Sequence, residues 1–375
     1  LKKLTQWQLN FPYNDAPQRR KHMKNVTITG WGKCVPQSIV TNDDLATVID
    51  TNDEWITSRS GIKERRVSHV NNSDMATLAG RRALAAAGLQ SSDINFVIVA
   101  TCTPDRQIPS SAAYVQAKIG ADRAAAADIN AGCSGFIYGL SMAHGLIATG
   151  TAGRVLLVGS EQISSYLNLD ERSTAVLFGD GAGAVIVEAS QDDSGIKSMA
   201  LGADGHGAEY LTATGLGTEL IGEDGPRAIV MDGTQIFKGA VARMGDGTIN
   251  AARDAGWELD DIDLVIPHQA NMRIIDAVRR RIKVDESKMF INIHKYGNTS
   301  AATIPLALAE AVDEGRVTPG AKLVFVAFGA GLTWGATAFQ WGDRVDPIAT
   351  TNEELPDPNQ TGLEILLANQ KGLQG

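Results

Sequence analysis

The chain has 375 residues, 43% apolar and 21% charged, enough to bury one large core or two fused ones. A net charge of −9 argues against wholesale nucleic-acid binding, and the three cysteines, Cys34, Cys102 and Cys133, have neither metal-ligand spacing nor an even disulfide framework. No apolar run approaches the roughly 18–20 residues of a membrane helix and no signal-peptide pattern appears, so the protein is expected in the cytoplasm, with no membrane or nucleic-acid partner.

In chain order, residues 1–23 are polar and aperiodic and end in His22-Met23. They read as a disordered arm or a cloning remnant, outside the fold. Val26 to Gly30 is the first strand. Thr41 to Leu45 carries a helix-start pattern, and Asp53 to Arg59 leads into a charged loop through Arg66. Asp74 to Ala87 reads as an alanine-rich helix ended by Gly88. Strands at Phe96–Ala100, Ala125–Asn130 and Val155–Gly159 then alternate with helices at Ser110–Ile119 and Ser134–Ala148. Gly179 to Gly183 reads as a turn before a strand at Ala184–Glu188. Such alternation is the pattern of a parallel sheet with helices on its faces.

The chain also repeats itself. Adding 168 takes Ala87-Gly88 to Ala255-Gly256, Asp93-Ile94 to Asp261-Ile262, Asn130 to Asn298, and the strand at Val155 to Leu323. A single offset of this size signals a duplicated half-domain rather than a solenoid. The expected halves are 24–190 and 191–341, followed by an extension, 342–375. Pro347, Pro356 and Pro358 suggest a linker there, and Leu363, Ile365, Leu366 and Leu367 a short docking helix or disorder. The two copies differ in their polar groups. Cys133 corresponds to Ala301 and His268 to Ala100, so each reactive side chain occurs in one half only.

Cys133 lies where a small-residue strand turns into a helix between Gly132 and Gly135. A helix N-terminus is expected to lower its thiol pKa and populate the thiolate. Three further stretches follow strand ends, where ligands bind in open α/β sheets: Pro-His-Gln-Ala-Asn (267–271), Gly-Asn-Thr-Ser-Ala (297–301) and Phe-Gly-Ala-Gly-Leu-Thr-Trp-Gly (328–335). Together with Ala-Gly-Cys-Ser-Gly (131–135), in this order, they make residues 24–341 resemble a β-ketoacyl-acyl-carrier-protein synthase III.

The resemblance implies the thiolase fold, two duplicated βα halves with central sheets in a layered αβαβα arrangement. It further implies a Cys133–His268–Asn298 triad and an oxyanion hole made by the backbone N–H groups of Cys133 and Ala330. The activity it implies is a decarboxylating Claisen condensation of an acyl-CoA primer with malonyl-acyl-carrier-protein, without metal or resident cofactor. Cys133 would carry the acyl group. A neutral His268 and the Asn298 amide would stabilise the enolate. No catalytic carboxylate is then needed, because decarboxylation itself makes the carbanion.

By the same resemblance Trp55, Arg59 and Arg273 contact CoA. The loop 101–110 reaches across a homodimer to put Ile108 at the acyl pocket. Arg273, Arg279, Arg280 and Lys283 form a cationic surface for the acidic carrier protein. Cys34, Cys102, His69, His144, His206 and His294 read as structural.

Related enzymes are distinguishable. Degradative thiolases need a second cysteine in the last glycine-rich loop, elongating synthases a second histidine where Asn298 stands, and chalcone-synthase-like enzymes a Gly-Phe-Gly-Pro-Gly loop. The remaining alternatives are a condensing enzyme or acyltransferase of secondary metabolism with a non-acetyl primer, and a non-catalytic acyl-CoA-binding subunit. The intact triad weighs against the last.

Overall fold

The computed structural model describes residues 25–215, 218 and 228–371; the arm at 1–23 lies outside the described residues. The first half begins with β1 (Val26–Cys34), β2 (Ile39–Thr41), α1 (Asn42–Ala46), α2 (Asp53–Ser60) and β3 (Glu64–Arg66). Thr41 and Asp44 close a reciprocal capping box on α1. The charged run read as a loop holds β3, paired antiparallel with β2. Next comes α3 (Asn72–Ala87), ended by Gly88 at φ +65°. There follow β4 (Phe96–Ala100), α4 (Ser111–Ile119), β5 (Ala125–Ile129), α5 (Gly135–Ala148), β6 (Arg154–Gln162), α6 (Arg172–Ala175) and β7 (Asp180–Ala189). Their sheet has the order β1-β7-β6-β4-β5, with β4 parallel to β5 and β6.

The glycines at 179–183, expected to form a turn, lie mostly within β7 instead. They are needed for close packing: a Cβ on Gly183 would lie 2.3 Å from the Leu306 nitrogen.

The second half contains β8 (Gly195–Ala203), β9 (Leu211–Ala213), β10 (Ile229–Met231), α7 (Gly233–Asp254), β11 (Leu264–Pro267) and α8 (Met272–Ile282). After these come α9 (Ile293–Tyr296), α10 (Thr303–Asp313), β12 (Lys322–Gly329), β13 (Thr333–Gln340) and, in the extension, α11 (Gly362–Lys371). The order β8-β13-β12-β11 repeats β1-β7-β6-β4. The 3-10 turns at Ser91–Asp93 and Leu259–Asp261, and those at Gly132–Ser134 and Ser300–Ala302, are each separated by 168 residues.

The repeat breaks at one place. The counterpart of β5 is the helical turn α9, because the Glu310 carboxylate gathers Asn292 Nδ2 (2.7 Å), Tyr296 OH (3.0 Å) and Lys295 Nζ (3.1 Å) over α10.

The elements stack in five layers. Helices α5 and α10 fill the middle, with Phe136, Leu140, Ile304 and Leu308 packed between Leu157 and Val185 of one sheet and Phe325 and Phe339 of the other. Outside lie α3 and α4 on the first sheet and α7 and α8 on the second. Among the described residues no helix is long and apolar enough to cross a membrane. The extension is no free linker. Arg344 binds the carbonyls of Ala86 and Thr29, Leu355 is buried, and α11 packs against the first half.

Phe136 is fully buried between the sheets. Phe136→Ala should destabilise the protein by about 3–5 kcal/mol in chemical denaturation.

Candidate active site

Cys133 occupies the 3-10 turn between β5 and α5, just ahead of the helix. Gly132 takes φ +51° there, and Ser300, its counterpart, takes φ +49°. Glycine accepts this left-handed conformation freely, whereas a serine in it is strained by about 1–3 kcal/mol. Ser300 is held by its own N–H, which donates to Asn298 Oδ1 at 2.8 Å. That bond fixes the Asn298 amide and leaves its NH2 end for the cavity it lines.

The end of β12 closes against the same turn. A Cβ on Gly329 would lie 2.6 Å from the Cys133 nitrogen, so only glycine fits. The Thr333 hydroxyl, 2.8 Å from Ala131 O and 2.9 Å from Ala330 O, ties the glycine-rich loop to the cysteine turn.

His268 follows β11 and is 1% exposed. Its Nδ1 lies 2.7 Å from Thr303 Oγ1, which also lies 3.0 Å from Ser300 O. Burial pushes the imidazole down to about 3, so it is neutral. Burial also pushes the Cys133 thiol up to about 12, against the lowering effect of the Ser300 hydroxyl. The direction is opposite to the sequence expectation, because loss of water around the sulfur outweighs the field of a helix that starts only at Gly135.

Two cavities meet at Cys133. One, of about 340 Å³, is lined by His268, Asn298, Trp55, Arg59 and Arg273. The other, of about 380 Å³, is lined by Cys102, Ile163, Tyr166, Leu211, Ile229 and Ala330. Cys102, read as structural, thus shares a cavity with the candidate nucleophile.

Trp55 carries two guanidinium groups over its ring, Arg59 at 4.5 Å and Arg172 at 4.4 Å. Arg172 escaped notice in the sequence, since it stands alone in a polar stretch far from Trp55. Glu161 escaped it as well. This carboxylate is fully buried at the end of β6 and accepts from Thr103 Oγ1 (2.6 Å), Thr101 Oγ1 (3.0 Å) and the Cys102 N–H (3.1 Å). Burial raises its pKa, opposed by the Thr103 and Cys102 donors. A single Glu after a strand offers no pattern by which to find it.

Ile108 does not line its own chain's cavity and is 86% exposed. Arg273 and Arg280 on α8 and Lys283 just after it are exposed, while Arg279 is half-buried with its Nε 3.9 Å from Asp276. Among the described residues no group of three or more His, Cys, Asp or Glu could hold a metal ion.

Residues 127–205 match the 3-oxoacyl-[acyl-carrier-protein (ACP)] synthase III family, and residues 252–341 match its C-terminal part. The chain is 46% identical over 342 residues to beta-ketoacyl-[acyl-carrier-protein] synthase III 2 of Vibrio vulnificus (strain YJ016), covering 90% of this chain and 94% of that one. It is 46% identical over 321 residues to the beta-ketoacyl-[acyl-carrier-protein] synthase III of Roseiflexus sp. (strain RS-1), covering 84% and 98%. The crystal structure of 3-oxoacyl-[acyl-carrier-protein] synthase III from Aquifex aeolicus VF5 superposes with a TM-score of 0.80 at 43% identity, over 84% of this chain and all of that one. The chain therefore belongs to the 3-oxoacyl-[acyl-carrier-protein] synthase III family, and is a condensing acyltransferase of thiolase fold that catalyses the initiating condensation of fatty acid synthesis.

Proposed function

We propose that this condensation of an acyl-CoA with malonyl-acyl-carrier-protein runs through an acyl-Cys133 intermediate, with His268 and Asn298 as its partners. The observation that carries the reading is that Cys133 lines two cavities at once, one with His268, Asn298 and Trp55, the other with Ile163, Tyr166, Phe178 and Ile229. A thioester entering by the first delivers its carbonyl to the sulfur, and its acyl chain extends into the second.

In the first half-reaction the Cys133 sulfur bonds to the carbonyl carbon, the bond to the CoA sulfur breaks, and the thiol proton reaches the departing thiolate by way of His268. The N–H groups of Cys133 and Ala330 hold the oxyanion; loss of one such donor costs about 3 kcal/mol. In the second, the C–CO2 bond of the malonyl group breaks and its electron pair forms an enolate, whose oxygen accepts from His268 and Asn298. The enolate carbon then attacks acyl-Cys133 and releases the sulfur.

The histidine must accept a proton first and donate one later. Thr303 supports both tasks, because its single hydroxyl proton has two acceptors in reach. Directed at Ser300 O, it receives Nδ1–H and leaves Nε2 with a lone pair. Directed at Nδ1, it leaves Nε2–H as a donor.

Trp55 with Arg59 and Arg172 suits the adenine of CoA, which stacks on indole and guanidinium planes. Arg273, which lines the cavity, Arg280 two turns further along α8 and Lys283 at the helix's C-cap are exposed and fit the acidic carrier protein better than the half-buried Arg279. Exposed Ile108 suits insertion into a second copy's acyl pocket, so the active assembly is a homodimer. The reading calls for no resident cofactor and places the enzyme in the cytoplasm.

Incubation with acyl-CoAs of varied length and branching should add one acyl group at Cys133, seen by intact-mass spectrometry; no adduct with any of them defeats this reading. Asn298→Ala should still acylate but lose malonyl decarboxylation by about 10²–10³-fold. Because burial holds the thiol near 12, iodoacetamide alkylation of Cys133 should rise about tenfold per pH unit from about pH 6 to 9 without a plateau. Arg172→Ala should raise KM for acyl-CoA about three- to tenfold with kcat nearly unchanged.

A further inference from the structure

The extension beyond Trp341 belongs to neither half of the repeat, yet its described residues are anchored at several points. Arg344 holds the Ala86 carbonyl at 2.8 Å, and the N–H groups of Ile348 and Ala349 donate to Ala86 O (3.0 Å) and Ala85 O (3.1 Å) at the end of α3. Arg82 binds Glu353 O and the Glu354 carboxylate at 2.8 and 2.7 Å. The chain then enters α11 at Gly362, where a Cβ would lie 2.1 Å from Ile39 O. Thr361 and Glu364 exchange capping bonds there, at 2.8 and 3.3 Å.

The destination of this strap is the back of the acyl cavity. Ile365 and Leu366 are 3% and 2% exposed and belong to one apolar cluster with Ile163, Leu167, Phe178 and Ile229. Ile163, Tyr166, Phe178 and Ile229 line the cavity on its other side. Between them runs the 3-10 turn Ile163–Tyr166, and Ser164 is its fastening point. From within the fold, Asp180 takes the Ser164 N–H (2.8 Å) and hydroxyl (2.6 Å). From α11, Gln370 Nε2 donates to Ser164 O at 2.7 Å and Asn369 Nδ2 to Ser164 Oγ at 3.1 Å.

We propose that α11 positions the wall of the acyl pocket: Ile365, Leu366, Asn369 and Gln370 hold the turn Ile163–Tyr166 in place and thereby set which primer acyl chains the enzyme accepts. The inference rests on the reading that this cavity takes the acyl group. The physical ground is that a close-packed interior transmits the displacement of a support to the wall it supports. A difference of one methylene in an apolar pocket already changes discrimination by roughly 10–200-fold, so a small shift of Tyr166 or Ile163 is enough to be read out in kinetics. None of these four side chains is among the residues lining the two cavities at Cys133, so their effect passes through the turn.

The test is kcat/KM for a primer series, from acetyl-CoA through branched and straight-chain acyl-CoAs to octanoyl-CoA, with malonyl-acyl-carrier-protein as the second substrate. It compares the full chain with Leu366→Ala, with the double variant Asn369→Ala/Gln370→Ala, and with Tyr166→Ala as a direct change in the wall. The tail variants should change the ratio of longer-chain to acetyl kcat/KM by about fivefold or more, in the same direction as Tyr166→Ala. If Tyr166→Ala alters the primer profile while both tail variants keep the wild-type ratios, or lower every primer's kcat/KM equally, the inference is overturned. If Tyr166→Ala itself leaves the profile unchanged, the cavity is not the acyl pocket, and the reading on which the inference rests falls first. Should Leu366→Ala not fold, the double variant, which alters only half-buried polar groups, decides the matter.

Discussion

Backbone meets backbone at the centre of this protein. The glycine that ends β12 approaches the Cys133 turn so closely that no side chain fits between them, and Thr333 bridges the two segments on the other side. Because this contact joins one duplicated half to the other, it brings Cys133 from one copy together with His268 and Asn298 from the other. Each half alone holds only part of the chemistry. The strained φ of Ser300, matched to the easy φ of Gly132, shows how the second copy keeps the turn's geometry after losing the glycine.

The same contact excludes water, and that exclusion governs the site's protonation. A buried thiol and a buried imidazole both favour their neutral forms, with Cys133 raised to about 12 and His268 lowered to about 3. A preformed thiolate–imidazolium pair is therefore not the resting state. In the proposed mechanism the proton moves as the sulfur attacks, and a neutral histidine remains to donate to the enolate. On the cysteine's side of the site Glu161, ringed by Thr101, Thr103 and Cys102, keeps its position through hydrogen bonds rather than a cation.

The extension shows how a fold acquires an additional support without changing its core. Its anchoring groups bind carbonyls left over at the end of α3 and side chains on the surface of the first half, and its helix completes an apolar cluster behind the cavity lined by Ile163 and Tyr166. Prolines at 347, 356 and 358 suit a segment that follows a surface without pairing into a sheet.

Much was legible in the amino-acid order because the signals are local or periodic. The strand at Phe96–Ala100 and the stop at Gly88 follow from apolar runs and from an αL-competent glycine. The offset of 168 carried the two-half architecture, and four short motifs carried the family. What the order of residues left open depends on distance through space. The glycines of β7 look like a turn until α10 is seen lying on them, and the repeat gives no sign that the counterpart of β5 is the helical turn α9, beside which Glu310 gathers polar groups. Arg172 joins Trp55 across more than a hundred residues of chain, and Glu161 reaches the site with no neighbouring pattern to mark it. The direction of the Cys133 shift was decided by tertiary burial alone, since a helix start is written in local sequence whereas desolvation is the sum of everything packed around the sulfur.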